Sequence, residues 1–160
     1  MRIIGIDPGT ATTGFGVVDH DRGRFKFIDA GVIVTPPGMP MPDRLKLLHE
    51  ELSQVIADNH PDEASVELLY FSTNVTTAIS VGQARGVILL ALAEAGLVPA
   101  EYTPMQIKQA VTGYGGAKKP QIQEMVKTLL GLHTIPKPDD AADGLAIAMT
   151  HANQAVLQVR

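Results

Sequence analysis

The chain contains no cysteine in its 160 residues. Without cysteine it has neither a disulfide framework nor thiolate ligands for a metal, and this absence fits a reducing compartment. A long hydrophobic run is also lacking at the start of the chain, where Asp7 interrupts the opening apolar stretch after a few residues. We therefore expect neither a signal peptide nor a membrane span, and we predict a cytoplasmic protein that makes no contact with a membrane.

Basic residues are not in excess, since the formal net charge is -4 at pH 7. A negative chain argues weakly against binding to nucleic acid, but bound metal ions would neutralise several acids, so local patches must decide. The remaining composition, with 45% hydrophobic and 19% charged residues, is typical of a globular protein. At this length we expect residues 1–160 to form a single domain with a real core.

An apolar stretch at residues 3–9, IIGIDPG, organises the rest of the chain. A short, mostly β-branched run that ends in a Pro-Gly turn predicts a buried central strand. Asp7 would then lie where that strand leaves the sheet. Two interpretations of its carboxylate stay open: an acid that starts a turn before proline, or a ligand for a metal ion.

Periodicity and turn signals divide the chain into strands and helices. We predict strands that end near residues 7 and 19 and further strands over 24–34, 64–71 and 97–103. We predict helices that begin near residues 42, 74, 104, 120 and 138. The first three strands should form an antiparallel meander, and the chain as a whole should be an α/β fold, a five-stranded mixed sheet flanked by helices.

Acidic residues occur at two further places where burial is predicted. Glu67 interrupts the fourth strand, where its partner would be either a basic side chain or a metal ion. Asp140 and Asp143 are three residues apart at the start of the last helix, so they share one face, which continues to the apolar Ile147. They are either ordinary first-turn acids or a pair of ligands, and Asp139 before them is the predicted N-cap.

Lysines and glycines give weaker signals. Lys118 and Lys119 come just before a helix, where cations are disfavoured, so they indicate either a nearby anion or a solvated pair of charges. The glycine-rich loop over residues 113–116 is interpreted as a hinge in preference to a phosphate cradle. Gly82 and Gly86 lie inside a predicted helix, which indicates close packing against either the sheet or a second subunit.

The acids at positions where burial is predicted support a common interpretation. If the first and fourth strands are adjacent, the four acids of strand and helix converge at one edge of the sheet. Oxygen-only ligation selects hard cations such as Mg²⁺ or Mn²⁺. Two such ions are a recurrent device for in-line attack on a phosphodiester, in which one activates water and the other stabilises the leaving oxygen. The sequence therefore predicts metal-dependent hydrolysis of a phosphodiester.

The chain resembles the RuvC family of bacterial Holliday-junction resolvases from residue 3 to about residue 151. The resemblance rests on an ordered set of features: GIDPG at residues 5–9, the lone Glu67 in its strand, GQARG at residues 82–86 and DAADGLA at residues 140–146. It implies an RNase H-like fold and a homodimer that makes paired symmetric nicks in a four-way DNA junction. It also implies a branch-migration helicase complex as a partner.

The family's pattern assigns the catalytic, metal-binding carboxylates to four residues of this chain: Asp7, Glu67, Asp140 and Asp143. They would hold two Mg²⁺ ions per subunit, with Mn²⁺ as an alternative. Lys119 would also be catalytic, because it falls at a basic position near the scissile phosphate and would stabilise the charge there.

The resemblance also implies residues that hold DNA. Lys108 falls at the family's other basic position near the scissile phosphate. Lys118, an extra charge beside the catalytic lysine, and Arg85 would contact the DNA backbone. In the family an aromatic ring in this region is thought to stack into the opened junction, so Tyr70 or Phe71 is the predicted wedge.

Two other classes of function stay open at this point. A non-catalytic junction-binding module would have the same fold without the chemistry, and nuclease assays would separate the two. An ATPase of the actin, Hsp70 and sugar-kinase superfamily also carries a Gly-Ile-Asp-x-Gly-Thr loop. Such an ATPase needs two domains around its nucleotide, and this chain is too short for both.

Overall fold

The structure, a computed structural model, describes residues 1–69 and 75–158. Its strands are β1 Arg2–Asp7, β2 Thr12–Asp21, β3 Arg24–Val34, β4 Glu63–Glu67 and β5 Ala100–Tyr102. Its helices are α1 Met41–Asn59, α2 Val75–Glu94, α3 Pro104–Thr112, α4 Lys119–Leu129 and α5 Asp139–Gln158. The predicted succession of strands and helices is therefore confirmed.

All five strands form one mixed sheet in the order β3-β2-β1-β4-β5. β1 pairs antiparallel with β2, and β2 pairs antiparallel with β3, which confirms the predicted meander. On its other side β1 pairs parallel with β4. The predicted adjacency of the first and fourth strands is thus confirmed, and β1 is central.

Helices cover both faces of the sheet. α1 and α2 pack on one face, around a core that includes Ile4 and Ile6 of β1. α3, α4 and α5 cover the other face around a second core, to which β1 contributes Ile3. Because successive side chains of a strand point to opposite faces, a strand covered on both faces needs the continuous apolar run that the sequence shows.

Glycines let α5 lie directly on the backbone of β1 and β2. A Cβ atom at Gly5, Gly14 or Gly16 would clash with the backbone of α5, and one at Gly144 would clash with the backbone of β2. Glycine is the residue that permits such a close approach between two backbones. This contact fixes where the start of α5 lies relative to the end of β1.

Three predicted boundaries are corrected. β4 ends at Glu67, so this acid terminates the strand and does not interrupt it. The fifth strand is only Ala100–Tyr102, because Thr103 caps α3 by accepting a hydrogen bond from the backbone N–H of Gln106. Asp139 is the first residue of α5 and not its N-cap, and its carboxylate accepts from Nζ of Lys137.

α2 leaves much of its apolar surface uncovered. Val75, Ile79 and Leu90 are exposed, and among residues 1–69 and 75–158 nothing lies within 4 Å of a Cβ placed on Gly82 or Gly86. Of the two predicted reasons for these glycines, packing against the sheet is therefore wrong. By length and composition alone, α2 is apolar enough to cross a membrane. Within this helix, 22% of its most apolar 18-residue window is buried inside the protein.

Candidate active site

Three carboxylates meet at the edge of the sheet where β1 ends. Asp7 closes β1, and Asp140 and Asp143 lie near the start of α5. One oxygen from each of the three lies within 4.8 Å of the others. The strand end supplies the first acid and the helix spacing of three residues aims the other two at it, so the predicted convergence of these acids is observed.

Glu67 joins the cluster from the end of β4. Its carboxyl group lies beside that of Asp7, and both its negative charge and a hydrogen bond between the two groups raise the pKa of Asp7. Burial, followed by the negative charges of Glu67 and Asp143, raises the pKa of Asp7 to about 8. Burial also raises the pKa of Glu67. The cluster is short of positive charge.

Lys119 provides part of that charge. Its Nζ donates a hydrogen bond to Oδ2 of Asp143 at 2.8 Å, and this bond raises the pKa of the lysine. Burial nevertheless keeps the pKa of Asp143 above its ordinary value. One ammonium group therefore does not compensate the four carboxylates, and a site of this composition suits a divalent cation held by oxygen ligands.

The cluster forms one side of an open cleft of about 500 Å³. Asp7, Glu67 and Asp143 lie on the acidic side, and three lysines also line the cleft: Lys108 from α3, Lys118 from the turn before α4, and Lys119 at the start of α4. Apolar side chains, among them Ile107, Ile122 and Ile147, complete the lining. A cleft that places cations beside a cation-binding cluster suits a substrate that carries its own negative charge, such as a phosphodiester.

The loop between α3 and α4 is tied down by hydrogen bonds. Thr112 Oγ1 accepts from the backbone N–H of Tyr114 at 3.2 Å, and the backbone N–H of Ala117 donates to the carbonyl of Tyr114 at 3.1 Å. The Gln109 amide donates to the carbonyl of Gly113 at 2.8 Å. These bonds satisfy the backbone around Tyr114, and the hinge stays a prediction.

The remaining predicted DNA-binding residues lie elsewhere. Arg85 forms an ion pair with Glu101 of β5 at 2.6 Å, and its side chain does not line the cleft. Tyr70 and Phe71, the predicted wedge residues, lie outside the described residues.

Sequence reasoning missed the glycines that bring the acids together. Gly5 lies two residues before Asp7, and Gly144 directly follows Asp143. Both glycines lie where α5 contacts the sheet. A usable signal was present, since glycine recurs at alternate positions of the predicted second strand and directly follows the second acid of the last helix.

Comparison with known proteins relates this fold and site to one family. The family model described as Crossover junction endodeoxyribonuclease RuvC matches residues 3–151. A protein of that name from Chloroflexus aurantiacus is 58% identical over 155 residues, which are 97% of this chain and 94% of the relative. Another, from Brevibacillus brevis, is 59% identical over 152 residues, which are 95% of this chain and 92% of the relative.

A solved structure supports the same relationship. Thermus thermophilus RuvC in complex with a Holliday junction substrate has a TM-score of 0.94 to this chain and 37% sequence identity. The match covers 99% of this chain and 96% of the other. The predicted RNase H-like α/β fold is therefore confirmed.

Proposed function

This chain belongs to the RuvC family of crossover junction endodeoxyribonucleases, and we propose from that membership how its site acts on DNA. The protein is a metal-dependent endodeoxyribonuclease that resolves Holliday junctions. It acts in homologous recombination and DNA repair. We propose that residues 1–160 act as one nuclease domain that makes paired symmetric nicks in a four-way junction. The observation that carries this proposal is the acidic cluster, which opens into a cleft that lysines also line.

The four acids are the proposed ligands of two Mg²⁺ ions per subunit, with Mn²⁺ as a substitute. Asp7, Asp140 and Asp143 fit such ions because their oxygens already lie within 4.8 Å of one another. Burial and the neighbouring acids raise the pKa of Asp7, so a divalent cation would stabilise its ionised form. Divalent cations in sites of this kind lower the pKa of bound water and neutralise charge on the leaving oxygen.

Lys119 is the proposed partner of the scissile phosphate. In this structure its Nζ donates to Oδ2 of Asp143 at 2.8 Å, and a cation bound by that carboxylate would weaken this ion pair. The freed ammonium group would then donate to a phosphate oxygen and stabilise the charge that develops during attack. Lys108, which lines the same cleft, would hold the strand, and Lys118 would contact the neighbouring backbone.

A second copy of the chain is the proposed cover for α2. The helix exposes Ile79 and Leu90, and the positions of Gly82 and Gly86 are open for the close approach of another backbone. A two-fold dimer presents two equivalent sites, which suits equivalent cuts in two opposed strands of a junction. We therefore propose a homodimer through α2 and not a membrane contact. Sedimentation as a monomer at micromolar concentration would contradict it.

Other parts of the proposal rest on family membership. Tyr70 or Phe71 would act as the wedge in the opened junction, and Arg85 would contact the DNA backbone after it leaves Glu101. A branch-migration helicase complex would supply the junction. The protein would act in the cytoplasm.

The decisive experiment compares an immobile four-way junction with a linear duplex of the same sequence, in Mg²⁺, Mn²⁺ or EDTA. Wild type should nick only the junction, at paired positions and only with metal. Asp7→Asn should bind the junction and not cut it. Asp139→Asn is the matched control, because Asp139 lies in the same helix but pairs with Lys137, and it should cut as wild type does.

Each other outcome has a definite meaning. Binding without cutting by wild type in either metal would favour a non-catalytic junction-binding module. Equal cutting of junction and duplex would indicate a general nuclease. Equal loss of cutting in Asp7→Asn and Asp139→Asn would contradict the assignment of Asp7 to the metal site.

A further inference from the structure

An exposed aromatic ring lies beside the active-site cleft. Tyr114 is 66% exposed, more than any phenylalanine or other tyrosine that the structure describes. Its ring packs against Gly116, where a Cβ would clash with the ring. Gly116 in turn lines the cleft together with Lys118 and Lys119. The ring is therefore held at the rim of the cleft and is not part of either core.

The backbone beneath this ring is fixed in advance. Gly113 adopts φ of +76°, a conformation suited to glycine, as it ends α3. The side chains of Thr112 and Gln109 then satisfy both polar groups of the peptide unit between Gly113 and Tyr114. A large, rigid side chain on a fixed turn loses little conformational entropy when it contacts a ligand.

The surroundings of the ring define what it contacts. Exposed aromatic rings interleaved with lysines are the usual arrangement for single-stranded nucleic acid, in which cations follow the phosphates and the rings stack on bases. Here the acids and lysines of the cleft would hold the backbone of the cut strand. A base attached to that backbone is then the group within reach of the rim.

We propose that Tyr114 is a stacking platform for an unpaired nucleobase of the strand that lies in the cleft, next to the scissile phosphate. This inference rests on the proposed function of the cleft and adds a DNA-binding residue to it. The hydrophobic ring surface is the part that matters, so phenylalanine should replace tyrosine and alanine should not.

The chain lacks tryptophan, which makes a direct test available. In an uncleaving Asp7→Asn background, Tyr114→Trp introduces a single tryptophan at the rim, which can be excited selectively over the remaining tyrosines. Titration with a four-way junction should quench its emission, because stacking on a base quenches indole. Val98→Trp in the same background is the matched control, since Val98 is 92% exposed and lies before β5, at the opposite end of the strands from the cleft. Its emission should stay constant.

A second measurement identifies the base and the energetic effect. Tyr114→Ala should weaken junction binding by about 10- to 100-fold, whereas Tyr114→Phe should bind within about twofold of wild type. Removing single bases around the crossover should reveal one abasic position that weakens wild type and has little further effect on Tyr114→Ala.

The outcomes separate this inference from the proposed function. If wild type cuts the junction but Tyr114→Ala binds and cuts equally well, or if Tyr114→Trp emission does not respond to DNA, stacking is contradicted and the ring is left for a protein partner. If wild type binds without cutting while the quench and the abasic effect are present, the proposed chemistry fails and the stacking platform stands. Unfolding temperatures equal to wild type would establish that each variant folds.

Discussion

The two ends of the contact between β4 and α5 each carry a glutamate, and the two glutamates have opposite surroundings. At one end Glu67 lies among Asp7 and other acids, and burial raises its pKa. At the other end Glu63 accepts a hydrogen bond from Nε2 of His151 at 2.5 Å. Nδ1 of that histidine lies 2.8 Å from the hydroxyl of Tyr102, which can donate to it. The side chains of Glu63, His151 and Tyr102 are thus joined in one hydrogen-bonded chain.

The two ends share a strand and a helix. Both glutamates lie on the same strand, four residues apart, so they share one face of the sheet. Ser65 lies between them and donates to the carbonyl of Ile147 in α5, at 3.2 Å. The two glutamates differ in burial, since the side chain of Glu63 is 42% exposed, and they also differ in their neighbours. A buried acid indicates a metal site only where other acids surround it and a compensating cation is missing.

Cleavage should separate the two ends most strongly. Glu67→Gln should lower the rate of junction cleavage by about 1,000-fold, because a ligand and its charge are lost from the proposed metal site. Glu63→Gln makes the same chemical change at the other end and should leave the rate within about twofold. Single-turnover cleavage of a four-way junction in Mg²⁺ measures both. Similar losses in both variants would contradict the distinction between the two ends.

A smaller effect is expected from the lysine at the acidic end. Lys119→Ala should lower the single-turnover rate by about 100-fold, the usual loss when one donor to a developing anion is removed. Lys127→Ala is the control on the same helix, since Lys127 pairs with Glu124 at 3.0 Å. The control should cut as wild type does. A change in junction affinity without a change in the single-turnover rate would reassign Lys119 to strand binding alone.

The stability of the metal-free protein should depend on pH through the acidic end. A carboxyl group whose pKa is raised on folding binds its proton more tightly in the folded state, so the unfolding free energy falls as pH rises from the ordinary value of about 4 to about 8. Below about pH 4 ionisation of Asp7 does not lower the unfolding free energy, and above about pH 8 the lowering is complete. Between pH 5 and pH 8 wild type should therefore lose up to about 4 kcal/mol more than Asp7→Asn.

Urea unfolding in EDTA at the two pH values tests this expectation. At pH 8 Asp7→Asn should be more stable than wild type, since it removes a buried charge that has no cation. Adding Mg²⁺ should raise the unfolding midpoint of wild type more than that of the variant. If the unfolding free energies of wild type and Asp7→Asn depend on pH in the same way, the raised pKa of Asp7 in the folded state is contradicted.

Much of this contrast could be predicted from local sequence. Asp7 follows an apolar run, and Asp140 and Asp143 are spaced to share a helix face, so strand and helix periodicity alone aimed three acids at one edge. Glu67 was predicted in the right strand, although the strand ends at it. These features depend on neighbours along the chain, which a sequence displays directly.

Contacts between distant segments were harder to predict. The approach of α5 to the sheet depends on Gly14 and Gly16 being opposite the start of that helix, and no local pattern specifies which backbone will lie there. The shortening of β5 likewise comes from Thr103, which caps α3 in place of extending the strand. The pairing of Arg85 with Glu101 joins residues from two elements and has no local signature either.

The smallest predicted effect concerns the end where Glu63 pairs with His151. Glu63→Gln keeps the shape of the side chain and removes the charge that accepts from His151, so it should lower the unfolding free energy by about 1 kcal/mol, since the pair is partly exposed. Added Mg²⁺ should offset the unfolding free energy that wild type loses when Asp7 ionises. It should not offset the loss caused by Glu63→Gln, because no metal ligand is changed. Urea unfolding at pH 7 with and without Mg²⁺ measures it. A stabilised Glu63→Gln protein would mean that Glu63, too, is an uncompensated acid, and the contrast between the two ends would fail.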